Sequence, residues 1–163
     1  MSISSINVSG FDSILKKLDS LGVNLDDVVV DSVKKETKRV KDDARDLVPV
    51  DKEDLKKSIT EKVEVTDEGV TGTVSTNSDH AAYVEFGTGK TGETTPVEDK
   101  YPGALSYKQD KWLVNIPDVG PRWIEGQMAQ PYLYPALKNN KDKIVDNIKN
   151  DLNETIRRVA KEW

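Results

Sequence analysis

The sequence contains no cysteine and a single histidine, His80. Without a thiol there is no disulfide framework, no cysteine nucleophile and no cysteine-ligated metal, and one imidazole cannot build a histidine-rich zinc site. Long apolar runs are missing as well. Nothing approaches the roughly eighteen consecutive apolar residues that a membrane-spanning helix needs. The opening residues Met1-Ser2-Ile3-Ser4-Ser5-Ile6 lack the charged segment and apolar run of a signal peptide, so the expectation is maturation in a cytoplasm. Aromatics are scarce at 6%, and 36% hydrophobic against 33% charged residues calls for a lean core. Charge of one sign is also lacking. The formal net charge is -5, and the basic clusters at Lys34, Lys35, Lys38, Arg39 and Lys41 and at Arg157, Arg158 and Lys161 are interleaved with acids such as Glu36, Asp42, Asp43, Glu154 and Glu162. Such clusters read as solvated helix faces, not as the basic footprint of a nucleic-acid-binding module.

What is present is periodicity. The 163 residues fit one domain. Phe11, Ile14, Leu15, Leu18 and Leu21 predict a first helix over 11–21, closed by Gly22. A second helix is expected from about Asp26 to Leu47, with Val29, Val33, Val40, Ala44 and Leu47 as its apolar stripe. Pro49 stops it. Residues 51–58 predict a helical turn capped by Asp51. The period then becomes two: Ile59, Val63 and Val65 on one face, followed after Asp67-Glu68-Gly69 by Val70, Gly72, Val74 and Thr76, which is a β-hairpin. Residues 90–110 carry no period, and the segment 88–126 reads as a long loop or arm. Within it Lys111–Ile116 is a candidate strand, stopped by Pro117, and Gly120-Pro121-Arg122-Trp123 reads as loop. Pro131 and Pro135 mark entry to a last helix, with Leu137, Ile144, Ile148, Leu152, Ile156 and Val159/Ala160 recurring as far as about Glu162. The plan is α+β: a small antiparallel sheet, hairpin plus one further strand, packed by a long C-terminal helix and N-terminal helices.

Chemistry-bearing patterns are weak. Gly87-Thr88-Gly89-Lys90-Thr91 looks like the end of a phosphate-binding loop, but Val84 stands where that motif needs its first glycine, and Gly92, Thr94, Thr95 and Pro96 follow where it needs a helix. His80 with Asp79 and Glu85 could be imagined as an acid–base or metal group. One histidine beside loop carboxylates is too few ligands, and an Asp79 helix cap with an incidental histidine is the simpler reading. Neither a catalytic residue nor a metal or cofactor ligand is assigned.

Three segments carry a resemblance. Leu47-Val48-Pro49-Val50-Asp51-Lys52-Glu53-Asp54-Leu55-Lys56-Lys57-Ser58-Ile59 resembles a block that usually reads V-P-V-D-T-G-x-L-[KR]-x-S-I. Ala82-Tyr83-Val84-Glu85-Phe86-Gly87-Thr88-Gly89 is similar to a Y-A-x-Y-V-E-F-G-T-G signature, and Ala129-Gln130-Pro131-Tyr132-Leu133-Tyr134-Pro135-Ala136-Leu137 to Q-P-F-L-x-P-A-L. In order and spacing they resemble the gene-ten-product family of tail-completion and minor tail proteins of long-tailed bacteriophages. Lys52-Glu53 replaces the usual Thr-Gly, so a more helical turn is expected there, and an insert-like segment lies around Tyr101 to Trp123. The resemblance implies a virion protein without catalysis, made in the host cytoplasm. It would form a ring, a hexamer, that caps the head-proximal end of the tail tube and meets the head connector. DNA would pass through its lumen without specific binding. A head-side connector, a capsid-assembly protein and a nucleic-acid-binding regulator are the alternatives. Glu85, between two large apolar residues, must be paired: with backbone amides, with Lys56 or Lys57, or with a neighbouring subunit. Tyr101, Tyr107, Trp112 and Trp123 are candidate interface anchors, since Tyr and Trp favour that role.

Overall fold

A computed structural model describes residues 2–8, 25–94 and 105–161, and the helix expected over 11–21 lies outside the described residues. In chain order the elements are β1 (Ser2–Val8), α1 (Leu25–Leu47), α2 (Glu53–Ser58), β2 (Ile59–Thr66), β3 (Gly69–Thr76), α3 (Ala81–Phe86), α4 (Gly89–Thr94), β4 (Trp112–Ile116), β5 (Gly120–Ile124), β6 (Gly126–Gln127) and α5 (Leu133–Lys161). The fold is α+β, with the long helices α1 and α5 packed together over one face of an antiparallel sheet of order β1-β3-β2.

α1 forms where its stripe was expected. Asp26 and Asp27 sit in its first turn, where the helix dipole favours acids. Val29, Val33, Val40 and Ala44 are buried, at spacings that keep them on one side. Leu47 is not part of the stripe: it is largely exposed, and Val48, one residue further, is buried in its place. The chain then turns through Val48–Ser58. Asp51 does not cap α2, whose N-cap is Lys52 without a side-chain bond; Asp51 instead pairs with the Lys52 ammonium at 3.1 Å. Leu55 and Ile59 plug this corner into the core. The Ser58 hydroxyl bonds to the Leu55 carbonyl at 2.7 Å and to the Thr76 hydroxyl at 2.6 Å, tying α2 to the end of β3.

The β2–β3 hairpin has Thr66 facing Gly69 across a two-residue turn. β3 is central and alternates strictly, with Val70, Gly72, Val74 and Thr76 buried. β2 is an edge strand, and its expected apolar face fades along its length: Ile59 is buried, Val63 half-buried and Val65 65% exposed. The core reaches Ile59 and, in part, Val63, and leaves Val65 uncovered. The third strand of the sheet is β1, which pairs antiparallel with β3 from Ser2 to Val8 and which no pattern anticipated. The strand expected near 111–116 exists as β4, but it pairs with β5 in a separate two-stranded ribbon. Gly120–Trp123 is therefore strand and not loop. Residues 89–94, expected in the irregular arm, form α4.

The α1–α5 contact contains an unexpected polar seam. Asp43 accepts from Asn140, Glu36 from Asn147 at 3.1 Å, and Asp151 from the Ser32 hydroxyl at 2.9 Å. The steps are seven and four residues on each helix, in opposite directions, as an antiparallel pair requires. Glu36, read from the sequence as part of a solvated face, is fully buried; its second oxygen faces the Arg39 guanidinium at 3.1 Å. A buried carboxylate persists only with partners of this kind. Around the seam, Ile144, Ile148 and Leu152 supply the apolar contacts of α5, with Leu137 and Ile156 half-buried. The side chains of Val159 and Ala160 lie outside the described ones.

Gly72 sets how closely α1 approaches the sheet. A Cβ there would collide with the Thr37 hydroxyl, which is itself bonded to the Val33 carbonyl at 2.6 Å. We expect Gly72→Ala to cost about 1–3 kcal/mol through overpacking. Thr37→Ala in the same chain should recover much of that loss. Urea denaturation of the two single variants and the double variant checks this, and strictly additive losses would mean that the Gly72–Thr37 contact is not the cause.

Candidate functional site

α3 is one and a half turns long, with Ala81 and Val84 buried. Its N-cap is His80, not Asp79, and makes no side-chain bond; Asp79 and His80 are both exposed, and the Ser78 carbonyl and hydroxyl receive the first amides instead. Gly87 ends the helix at φ 73, and its N–H bonds to the Tyr83 carbonyl at 3.0 Å. A side chain there would be strained, and its Cβ would sit 2.7 Å from the Ala129 nitrogen.

The Glu85 carboxylate is the centre of the site. It is fully buried. One oxygen accepts the N–H of Tyr132 at 2.8 Å and of Leu133 at 2.9 Å, and the other accepts the N–H of Tyr134 at 2.9 Å. These are amides at the start of α5, which have no acceptor within their own helix. The next residue, Pro135, has no N–H to satisfy, and the Ala136 N–H bonds back to the Tyr132 carbonyl at 3.4 Å. The first turn of α5 is thus accounted for without a cap residue of its own. Of the partners left open by the sequence, the amides take both oxygens, while Lys56 and Lys57 pair with Asp46 and Glu53. The Gln130 N–H adds a bond to the Val84 carbonyl at 2.8 Å. The two sequence blocks around Tyr83–Gly89 and Gln130–Pro135 are one structural unit.

Burial pushes the Glu85 carboxyl above the usual glutamate range, against the three amides that favour the charged form. The Tyr132 ring is fully buried beside it, and burial together with the Glu85 charge pushes the phenol's ionisation up as well. Its hydroxyl has no hydrogen-bond partner among the described residues.

Gly87-Thr88-Gly89 packs backbone against backbone on residues 125–129. Thr88 and Gly89 form antiparallel bridges with Gln127 and Gly126. The Gln127 amide nitrogens reach the Thr88 hydroxyl at 3.1 Å and, from its side chain, the Tyr83 carbonyl at 2.7 Å. A Cβ at Gly126 would collide with the Thr88 carbonyl. A short helix, α4, does follow this glycine loop, but the loop is preceded by a helix and its face is occupied by chain, so it is not a phosphate cradle.

Tyr107 and Trp112 come to the same place. The Tyr107 hydroxyl donates to the Phe86 carbonyl at 2.9 Å. The Lys108 ammonium stands 5.3 Å from the centre of the Trp112 ring. Together with Tyr83, Phe86 and Leu105 they line a groove of about 340 Å³ at the foot of the β4–β5 ribbon. Trp123 stands apart on the ribbon and is 67% exposed, and Tyr101 lies outside the described residues. Sequence reasoning missed Gly126, Gln127 and Lys108. It also passed over Pro117-Asp118-Val119-Gly120, a turn signal that could have located the ribbon.

Residues 12–87 match the family model HK97-gp10-like, described as "Bacteriophage HK97-gp10, putative tail-component", consistent with the gene-ten-like resemblance of the sequence blocks. The matched segment spans α1 to the end of α3, and the Gln130–Pro135 block lies beyond it. No curated protein and no solved structure gives a match.

Replacing Glu85 tests the anchor. Glu85→Ala should lower stability by roughly 2–4 kcal/mol, because it strands two buried donors and a part-buried third, and should speed hydrogen exchange at Tyr132, Leu133 and Tyr134. Glu85→Gln, which keeps one accepting oxygen, should lose less. The raised carboxyl predicts a pH dependence. The folded protein holds the Glu85 proton more tightly than the unfolded chain, so this contribution is complete below pH 4.5, the ordinary value, and is lost as pH rises through the raised folded value. The stability difference between wild type and E85Q should therefore shrink from acid toward neutral pH. A difference that grew with pH would reverse the assignment.

Proposed function

We propose that this protein is a virion structural protein that completes the tail, closing as a ring on the head-proximal end of the tail tube and joining it to the head. The observation that carries the reading beyond a tail component is the β4–β5 ribbon. None of the ten residues in its two strands is buried, yet Leu113, Ile116 and Trp123 are exposed and large. A two-stranded ribbon is marginal by itself in water, and clustered apolar exposure marks a contact surface. Its root is rigid, held by the glycine packing at Thr88–Gly89 and by the Lys111–Glu125 pair at 2.7 Å. A stiff base with a projecting apolar limb suits a subunit that works by docking onto copies of itself, onto the tail tube protein and onto the head connector. The net charge of -5 suits a conduit through which DNA slides without sticking.

A phage carrying an amber mutation in this gene separates the possibilities. The expected result is filled heads and separate tails that fail to join, with the protein in wild-type tails at the stoichiometry of a hexamer. Finding it in tailless heads would favour a head-side connector, and finding it in neither particle would overturn a virion role. DNA binding tighter than about 10⁻⁶ M that weakens steeply with salt would favour a nucleic-acid-binding regulator.

A further inference from the structure

The tip of the β4–β5 ribbon and the groove at its foot are complementary, and one chain cannot bring them together. The tip is Ile116-Pro117-Asp118-Val119. It is a preformed turn, closed by the Val119 N–H on the Ile116 carbonyl at 3.2 Å and stiffened by Pro117. Ile116 and Val119 are exposed apolar side chains, and between them Asp118 takes the left-handed conformation at φ 65. Asp118 has no cationic partner among the described residues.

The groove has the opposite character. Tyr83, Phe86, Leu105 and Trp112 give it an apolar lining, and Lys108 supplies a positive charge at its edge, over the Trp112 ring. Lys108 has no carboxylate partner among the described residues. Trp112 is the first residue of β4 and Ile116 the last, so the tip lies roughly 13–16 Å along the strand from the groove. A paired ribbon of that length is too stiff to fold back on its own base, whereas a neighbour's tip is free to enter.

We propose that the ribbon tip of one copy seats in the groove of the next, with Ile116 and Val119 on the aromatic lining and the Asp118 carboxylate against the Lys108 ammonium. The contact joins two different surfaces, so it is heterologous: each copy gives a tip and receives one, and the chain of contacts closes where the rotation allows. The preformed turn limits the ordering cost of docking. This inference rests on the ring reading above and assigns its subunit interface.

The absence of native cysteine makes the test clean. The full chain carrying both Ser106→Cys, in the groove lining, and Val119→Cys should give a ladder of disulfide-linked species on mild oxidation, alone at high concentration or on purified tail tubes. Each single variant alone should give no ladder, and the two mixed should give dimers. Asp118→Lys and Lys108→Glu should each raise the concentration needed for assembly roughly tenfold, about 1.4 kcal/mol per contact. The two changes in the same chain should restore it. Wild-type rings without the ladder, or with charge reversals that have no effect, would overturn the tip-in-groove contact while leaving the ring intact. A disulfide confined to monomers would overturn it by placing the tip in its own groove, and linkage of the introduced groove thiol to tube protein alone would do so by naming a different occupant. Failure of the wild type to assemble even on tail tubes would remove the ring reading itself, and this contact with it.

Discussion

A helix of the length of α5 leaves amides at its start without partners, and the residues before it, Gln130, Pro131 and Tyr132, offer no serine, threonine, aspartate or asparagine to receive them. Glu85 supplies the acceptor from 47 residues away along the chain. The bond geometry then fixes more than the helix end. Because Val84 and Phe86 flank Glu85, the carboxylate can reach the amides only if α3 lies against the start of α5, and the Gln130-to-Val84 bond closes the same junction from the other side. Everything distal follows from that placement. Gly87 releases the chain, Thr88 and Gly89 meet residues 126–127, and the ribbon is held at an angle set by backbone packing.

The helix pair obeys a second constraint, independent of the first. Apolar stripes alone leave the sliding register of two antiparallel helices loosely defined. The paired steps Asp43–Asn140, Glu36–Asn147 and Ser32–Asp151 are satisfied in one register only. A slip of one turn would take Asn147 away from Glu36 and leave one of its buried oxygens without a donor, while Arg39 on the same helix still faces the other. The seam thus gives specificity where isoleucine and valine give adhesion.

How much of this was legible from the sequence depends on the range of the interaction. Val29, Val33, Val40 and Ala44, and Ile144, Ile148 and Leu152, repeat locally, and so do the alternating residues of β2 and β3; these elements could be read directly. β1 and β5 could not. A serine-rich strand and a Gly-Pro strand have little intrinsic preference, and they are strands because a partner pairs with them. Glu36 looked solvated because its neighbours in sequence are charged, whereas its neighbours in space are Arg39 and Asn147. The importance of Glu85 was legible, since a carboxylate between Val84 and Phe86 must find donors, but their location was not. One clue was available: the chain enters α5 through Gln130-Pro131-Tyr132 with no capping residue, so an acceptor had to arrive from elsewhere.

The division into a base and an exposed ribbon bears on how a subunit of the proposed ring would stay dispersed before assembly. A tip of four residues entering a groove of about 340 Å³ buries far less than the roughly 1,600 Å² of a standard stable interface. Two copies meeting in solution would therefore part quickly, and the net charge of -5 on each adds a repulsion between them. Closure changes the balance. In a ring every subunit makes two contacts instead of one, and the last contact forms within a single assembly at a high effective concentration. A tail tube that holds several subunits side by side supplies the same advantage from outside. Weak pairwise docking through a stiff ribbon is thus compatible with a firm ring, provided that the ribbon's angle is fixed, and that angle traces back to three amides held by one buried carboxylate.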